Sequence, residues 1–444
     1  MLSPPSDQAS SRPGEILEAY RRLGRRRISG CLFRILVIFW VLGIVVGYQQ
    51  DEDAETATDS LIREADVEFA LAACFGELPK PLRALLWSST EEEVVEKMSE
   101  RFESLRRRGL LTGYGESHLE VLQALRSGSS ADLPLASWLE RGDFSFWQWE
   151  YLALKRAGIL EREPSLQQGR EELLFRAGSS LIAGEAVWWL LALAGLPFLP
   201  RALASFRTDK LTHSGKRRGS PWAFSYVFGV FLLVDLVNDF GLFGLYLLPL
   251  PWDAAPYLTL ITTDTLWRVG GALGMMCFLF VRWRHGARLL GLARRPEWRP
   301  VLGMLSLLYF VNLLLYAGWS TLGLPEAEGY VDPWEDGWGG LIYALISGVI
   351  MAPVVEEIMF RGFLFRAGYG RFGFLRGAIY STCFFVLIHF YDVPGSLSVG
   401  FFGIAACVLY RATGSLWTGI VFHMAYNAAI TASYWPLYHG NYLP

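Results

Sequence analysis

The stretch APVVEEIMFRG, residues 352–362, decides the fold and points to the chemistry. Two adjacent glutamates and an arginine stand in a segment that is otherwise apolar for about a membrane's width on its amino-terminal side. A bare carboxylate in hydrocarbon costs on the order of a few kcal/mol, so Glu356, Glu357 and Arg361 need partners or a wet cavity. On a helix Glu357 and Arg361 lie four residues apart and pair along one face. Glu356 is turned from Glu357 by roughly 100°, towards other helices. The spacing predicts a structural ion pair, Glu357 with Arg361, and a second carboxylate, Glu356, directed at groups elsewhere in the chain.

The surrounding sequence puts this stretch in a membrane. Of 444 residues, 52 % are hydrophobic and only 19 % are charged, and there are 17 tryptophans; soluble chains are usually nearer a quarter charged. Apolar runs at 31–48, 180–199, 222–248, 265–283, 300–322, 339–361, 375–391, 397–411 and 415–434 are near the roughly 20 residues that cross a bilayer. The expected fold is all-α: a polytopic helical bundle of about nine spans with an inserted soluble helical domain. Its parts read as a basic cytoplasmic segment (1–30), an uncleaved transmembrane anchor (31–48), the soluble domain (51–178), further transmembrane helices (180–298) and a membrane core (299–444). Arginines and lysines crowd every second loop: Arg21 to Arg27, Arg207 to Arg218, Arg282 to Arg299, and Arg361 to Arg376. By the positive-inside rule, the amino terminus is expected inside and residues 51–178 outside. Five scattered cysteines, with no paired spacing, suggest neither a disulfide framework nor a zinc finger. No nucleic-acid partner is expected.

Residues 51–178 differ in character, with a net charge of about −10. SSTEEEVVEKMSERFESLRRRG opens with a cap-like Ser/Thr and an acidic turn. It sets Val94, Met98, Phe102 and Leu105 on one stripe and closes on arginines and Gly109. Further helices are expected over Glu116–Arg126 and Ser145–Ala157. The segment carries no catalytic constellation and reads as a small all-helical domain of unknown binding role, with a protein as its candidate partner.

More polar residues lie in the last apolar runs. His389 sits in FFVLIHF and His423 in VFHMAYNAA, with Asn427 four residues after His423 on the same face. Each alone has a plain structural reading: a histidine or asparagine in a span commonly hydrogen-bonds a neighbouring helix. Together they supply a carboxylate and imidazoles, which activate water, and an imidazole with an amide, which serve as oxyanion donors.

EEIMFR fits the pattern EExxxR, Phe385 to His389 fits FxxxH, and His423 to Asn427 fits HxxxN. In this order on successive late spans, they resemble the CPBP family of intramembrane proteases, which includes type II CAAX prenyl endopeptidases and Abi or bacteriocin-processing proteins. The resemblance covers about residues 339–435. It implies a helical membrane bundle that hydrolyses a peptide bond in a peptide or membrane-protein substrate, within membrane lipid and in a bacterial cytoplasmic membrane. It also implies that Glu356 activates water, His389 assists at that water, His423 and Asn427 stabilise the oxyanion, and Glu357 with Arg361 supports the helix. Glu356, His389 and His423 are ligand types that zinc accepts, leaving a fourth position for water, and the family is often described as metalloprotease. There is no HExxH, however, and a carboxylate alone can act as base, so the expectation leans to catalysis without metal. A non-catalytic scaffold or immunity-type protein, and a transporter relaying protons through Glu356 and the histidines, are the competing readings.

Overall fold

The computed structural model describes residues 30–48, 54–86, 88–127, 164–211, 223–246, 256–279, 287–288, 290–322, 324 and 337–439. Among them every regular element is helical and none is a strand, as the apolar periodicity requires. The chain divides into two compact units. One comprises residues 1–49, 191–319 and 346–427, and the other residues 50–190, 320–345 and 428–444.

In the second unit, α1 (Ala54–Phe75), α2 (Glu91–Arg107) and α3 (Gly113–Ser127) enclose a small core. Helix α2 begins at Thr90, whose hydroxyl accepts from the Glu93 N–H (3.2 Å) while the Glu93 carboxylate accepts from the Thr90 N–H (2.8 Å). This reciprocal cap satisfies two of the amide groups left over at a helix start. At its other end Gly109 takes φ +72°, and its successor Leu110 donates to the Leu105 carbonyl, closing a Schellman turn. Between these stops Val94, Met98, Phe102 and Leu105 are buried against α1 and α3. Residues 145–157 lie outside the described residues.

Across the same core edge, the buried Glu64 of α1 pairs with Arg101 of α2. Burial pushes the Glu64 carboxyl up to about 7, against the pull of Arg101 and Lys97. An acid whose folded-state pKa is raised holds its proton more tightly when folded. Its contribution to stability is therefore complete below the unfolded-state value and is lost as pH rises through about 7. Raising pH from 5 to 8 is expected to lower the melting temperature of the full-length protein, and Glu64→Gln to flatten that part of the profile. Parallel profiles for parent and variant would contradict the assignment.

The first unit holds the apolar helices that position the polar residues. They are α4 (Phe224–Tyr246), α5 (Pro256–Leu279), α6 (Trp298–Thr321), the long α7 (Gly337–Phe372), α8 (Phe374–Leu387), α9 (Val393–Thr413) and α10 (Leu416–Tyr438); the first residues of α7 and the last of α10 belong to the other unit. Among the described residues four helices are long and apolar enough to cross a membrane: Leu174–Ser205, Trp298–Trp319, Gly337–Phe372 and Val393–Thr413. Shorter apolar stretches are Phe33–Gly43, Phe224–Asn238 and Phe374–Leu387. Large apolar side chains such as Leu314, Phe240 and Leu375 are exposed, the arrangement lipid demands and water penalises. This is an all-α integral membrane protein.

Helix α7 changes register twice, with π-helical stretches at Ala344–Met351 and Glu357–Phe365 around a short α-helical piece. π-Stretches are rare and concentrate at functional sites. Pro353 lies just past the first stretch. Continued in π register, the Gly348 carbonyl would look to the N–H of residue 353, which proline lacks. Asn427 of α10 donates its amide to that carbonyl instead (2.8 Å). In the second stretch Ser381 of α8 donates to the Phe360 carbonyl (2.8 Å). Helix α7 ends at Gly373, whose φ of +85° lets the chain fold straight back into α8.

Candidate active site

Glu356 and Glu357 follow one another at the start of the second π-stretch and point apart. Glu357 is wholly buried, its Oε1 lying 2.9 Å from Arg361 Nη1 and 3.1 Å from His423 Nδ1. Its Oε2 comes within 2.9 Å of where a Cβ on Gly419 would stand, so α10 approaches Glu357 this closely only because residue 419 has no side chain. Arg361 is also fully buried, with its guanidinium 4.2 Å from the Phe385 ring centre and 5.6 Å from that of Phe402. The approach to Glu357 lies off the N–H axes, so this cation is held by charge and ring faces rather than by aligned hydrogen bonds. Phe385, the first residue of FxxxH, thus covers the arginine of EExxxR, and it also packs on His389 at 4.6 Å.

Glu356 meets a different set of groups. Its Oε2 lies 3.8 Å from His423 Nε2 and 4.0 Å from His389 Nε2, is buried, and has no hydrogen-bond partner among the described residues. Both rings have the other nitrogen occupied. His389 Nδ1 stands 2.6 Å from the Phe385 carbonyl, and His423 Nδ1 faces the Glu357 carboxylate. Those acceptors place a proton on each Nδ1, and each ring turns its Nε2 towards Glu356. His389 follows the last turn of α8, and Phe390 after it adopts φ +52°, a conformation seldom taken by non-glycine residues. This turns the chain towards the Asp392 cap of α9. The structure thus brings Glu356, His389 and His423 together, joins Glu357 to both Arg361 and His423, and sets Asn427 on the Gly348 carbonyl.

Two residues of this centre were not singled out by the sequence reading. Arg268 of α5 donates from Nη1 to Glu356 Oε1 (2.8 Å), while its Nε lies 2.9 Å from both oxygens of Asp264. Asp264 in turn accepts from Ser347 Oγ. An aspartate and an arginine four residues apart in an apolar run are the same signal as Glu357 and Arg361, and could have been read the same way. Glu356 and Arg268 border a cleft of about 440 Å³, its open mouth included, with Phe231, Asp235, Asn238 and Met359 among the other lining residues.

The donor types at Glu356, His389 and His423 are those zinc accepts, while their atoms stand farther apart than ligands around a bound zinc. Bonds of about 2.0–2.1 Å in a tetrahedron separate ligand atoms by roughly 3.3 Å, less than the 3.8 and 4.0 Å here. Glu356 is also already balanced by Arg268. Among the described residues no group of three His, Cys, Asp or Glu side chains has metal-holding geometry.

Residues 338–429 match the family of type II CAAX prenyl endopeptidases described as Rce1-like. The matched segment contains Glu356, Glu357, Arg361, His389, His423 and Asn427, and begins well after Asp264 and Arg268. No curated protein and no solved structure matches the chain.

Proposed function

Residues 338–429 carry a CAAX-type protease domain of the CPBP family, and on that premise we propose that the protein hydrolyses a peptide bond within the membrane using water activated by Glu356. The observation that carries this reading is the buried, unpartnered Glu356 Oε2 facing two imidazole nitrogens at 3.8 and 4.0 Å. A water held there gives one proton to Glu356 Oε2 and directs the other at His389 Nε2, leaving a lone pair for the scissile carbonyl. Glu356 takes the first proton as hydroxide adds to the carbonyl carbon, then passes it to the departing amine, so the carboxylate is regenerated. His423 carries a proton on each ring nitrogen in this step, Nδ1–H to Glu357 and Nε2–H to the oxyanion. Asn427 adds the amide proton not given to Gly348. The site faces the inner leaflet, where the arginines after Arg361 lie, and the amino terminus is inside.

The test is cleavage of a membrane-presented peptide library by purified full-length protein beside Glu356→Gln. Vectorial proton uptake without cleavage would favour the transporter, and neither activity would favour a scaffold. Asn427→Ala is expected to lower kcat about 10²–10³-fold with KM nearly kept. Asn427→Asp, which keeps the size but loses the N–H donors, should be as impaired. Parent-like turnover in both would remove Asn427 from the reaction. Metal content of the parent, His389→Ala and His423→Ala is expected to be negligible, with turnover resistant to chelators. A stoichiometric metal lost from both variants would overturn the metal-free route.

A further inference from the structure

We propose that Arg268 is a positioning residue of this centre, gripping Glu356 by Oε1 so that Oε2 alone is presented to the two histidines. The inference rests on the reading of Glu356 as the base, and it concerns a helix outside the segment matched to the protease family.

A glutamate carboxylate rotates about its last bond, so either oxygen could face the histidines unless one is held. Arg268 Nη1 holds Oε1 at 2.8 Å. The guanidinium is itself fixed on a second edge, where Nε lies 2.9 Å from both Asp264 oxygens. A planar group bonded on two edges cannot swivel as an ammonium can. Asp264 is held by Ser347, which sits on α7 two turns before Glu356. Helix α5 is thus clasped to α7 at two levels, and the chain Ser347–Asp264–Arg268–Glu356 closes on itself. All three charged side chains are largely buried, at 16 % exposure for Asp264, 19 % for Arg268 and 10 % for Glu356. Screening at such sites is weak, and charge-assisted bonds there are at their strongest.

A purely structural arginine would affect folding, whereas a positioning arginine affects the reactivity of Glu356, and the test separates the two. Full-length protein in liposomes is assayed on a library peptide that the parent cleaves. Arg268→Ala is expected to lose about 10²-fold in kcat with KM little changed, and added guanidinium to restore about tenfold of that loss. Guanidinium should restore nothing to Glu356→Gln. Arg268→Lys, which keeps the charge but cannot span Glu356 and Asp264 together, should fall between. Parent-like kcat in a folded Arg268→Ala, or a loss that guanidinium leaves untouched, would overturn the proposal.

A second arm needs no turnover. A hydrophobic carbodiimide attacks protonated, unpaired carboxyl groups, and the adduct at Glu356 is read by mass spectrometry. Labelling should rise several-fold in Arg268→Ala, and to a smaller degree in Arg268→Lys; unchanged labelling overturns the grip. A parent that cleaves no peptide while its labelling still responds to Arg268 would sink the protease reading and leave the Arg268 contact standing.

Discussion

Glu356→Gln removes peptide cleavage, by at least about 10³-fold in kcat, and leaves the melting temperature close to that of the parent. Glutamine keeps the volume of the side chain and an oxygen that accepts from Arg268 in place of Oε1. It cannot accept the proton of a water molecule. Glu356 Oε2 has no hydrogen-bond partner among the described residues, and Arg268 keeps Asp264 as its counter-charge, so the substitution strands no charge. Single-turnover cleavage and a thermal melt on the same preparation check both halves. Equal cleavage by variant and parent would end the assignment of Glu356 as base.

Glu357→Gln has its large effect on stability instead. Its partner Arg361 has no solvent exposure, and neither does Glu357. Removing one member of such a pair strands the other charge, at a cost of about 3–5 kcal/mol. Arg361 would retain the faces of Phe385 and Phe402 but no carboxylate. Replacing both partners at once, Glu357→Leu with Arg361→Met, strands nothing and should recover most of the loss. Turnover should not recover with it, because His423 Nδ1 loses the carboxylate that fixes its ring. Chemical unfolding and kcat measured on the single and double variants test this split. A double variant as unstable as Glu357→Gln would show that the pair is held by shape rather than by charge.

The sequence carried the membrane fold and the convergent residues because both are written in local spacing. An apolar run announces a span, and four-residue steps put Glu357 beside Arg361 and His423 beside Asn427 on their helices. Glu356 pairs with Arg268 across 88 positions, and no spacing rule reaches that far, although Asp264 and Arg268 as a local pair were open to the same logic. The register changes in α7 were hidden for another reason. A π-stretch and an α-helix draw on the same apolar residues, and only Pro353 hints that a carbonyl one turn back lacks its donor. For the same reason the Asn427 contact with Gly348 could not be read from HxxxN, which places the asparagine on a face but not against a particular carbonyl.

The arrangement of charges also bears on how such a chain enters a bilayer as it is made. Synthesis runs from the amino terminus, so α5, with Asp264 and Arg268 four residues apart on one helix, is complete before α7 emerges. Glu357 and Arg361 sit on a single helix and neutralise each other as soon as that turn forms. Glu356 is the one carboxylate of α7 without a cation on its own helix, and the arginine it binds in the finished protein is already in place when it arrives. The histidines, which have no charge to compensate while neutral, come last. Asp264, Glu356 and Glu357 therefore each meet a counter-charge on entry or earlier, and for these three the nascent chain is spared the expense of an unpaired carboxylate in hydrocarbon.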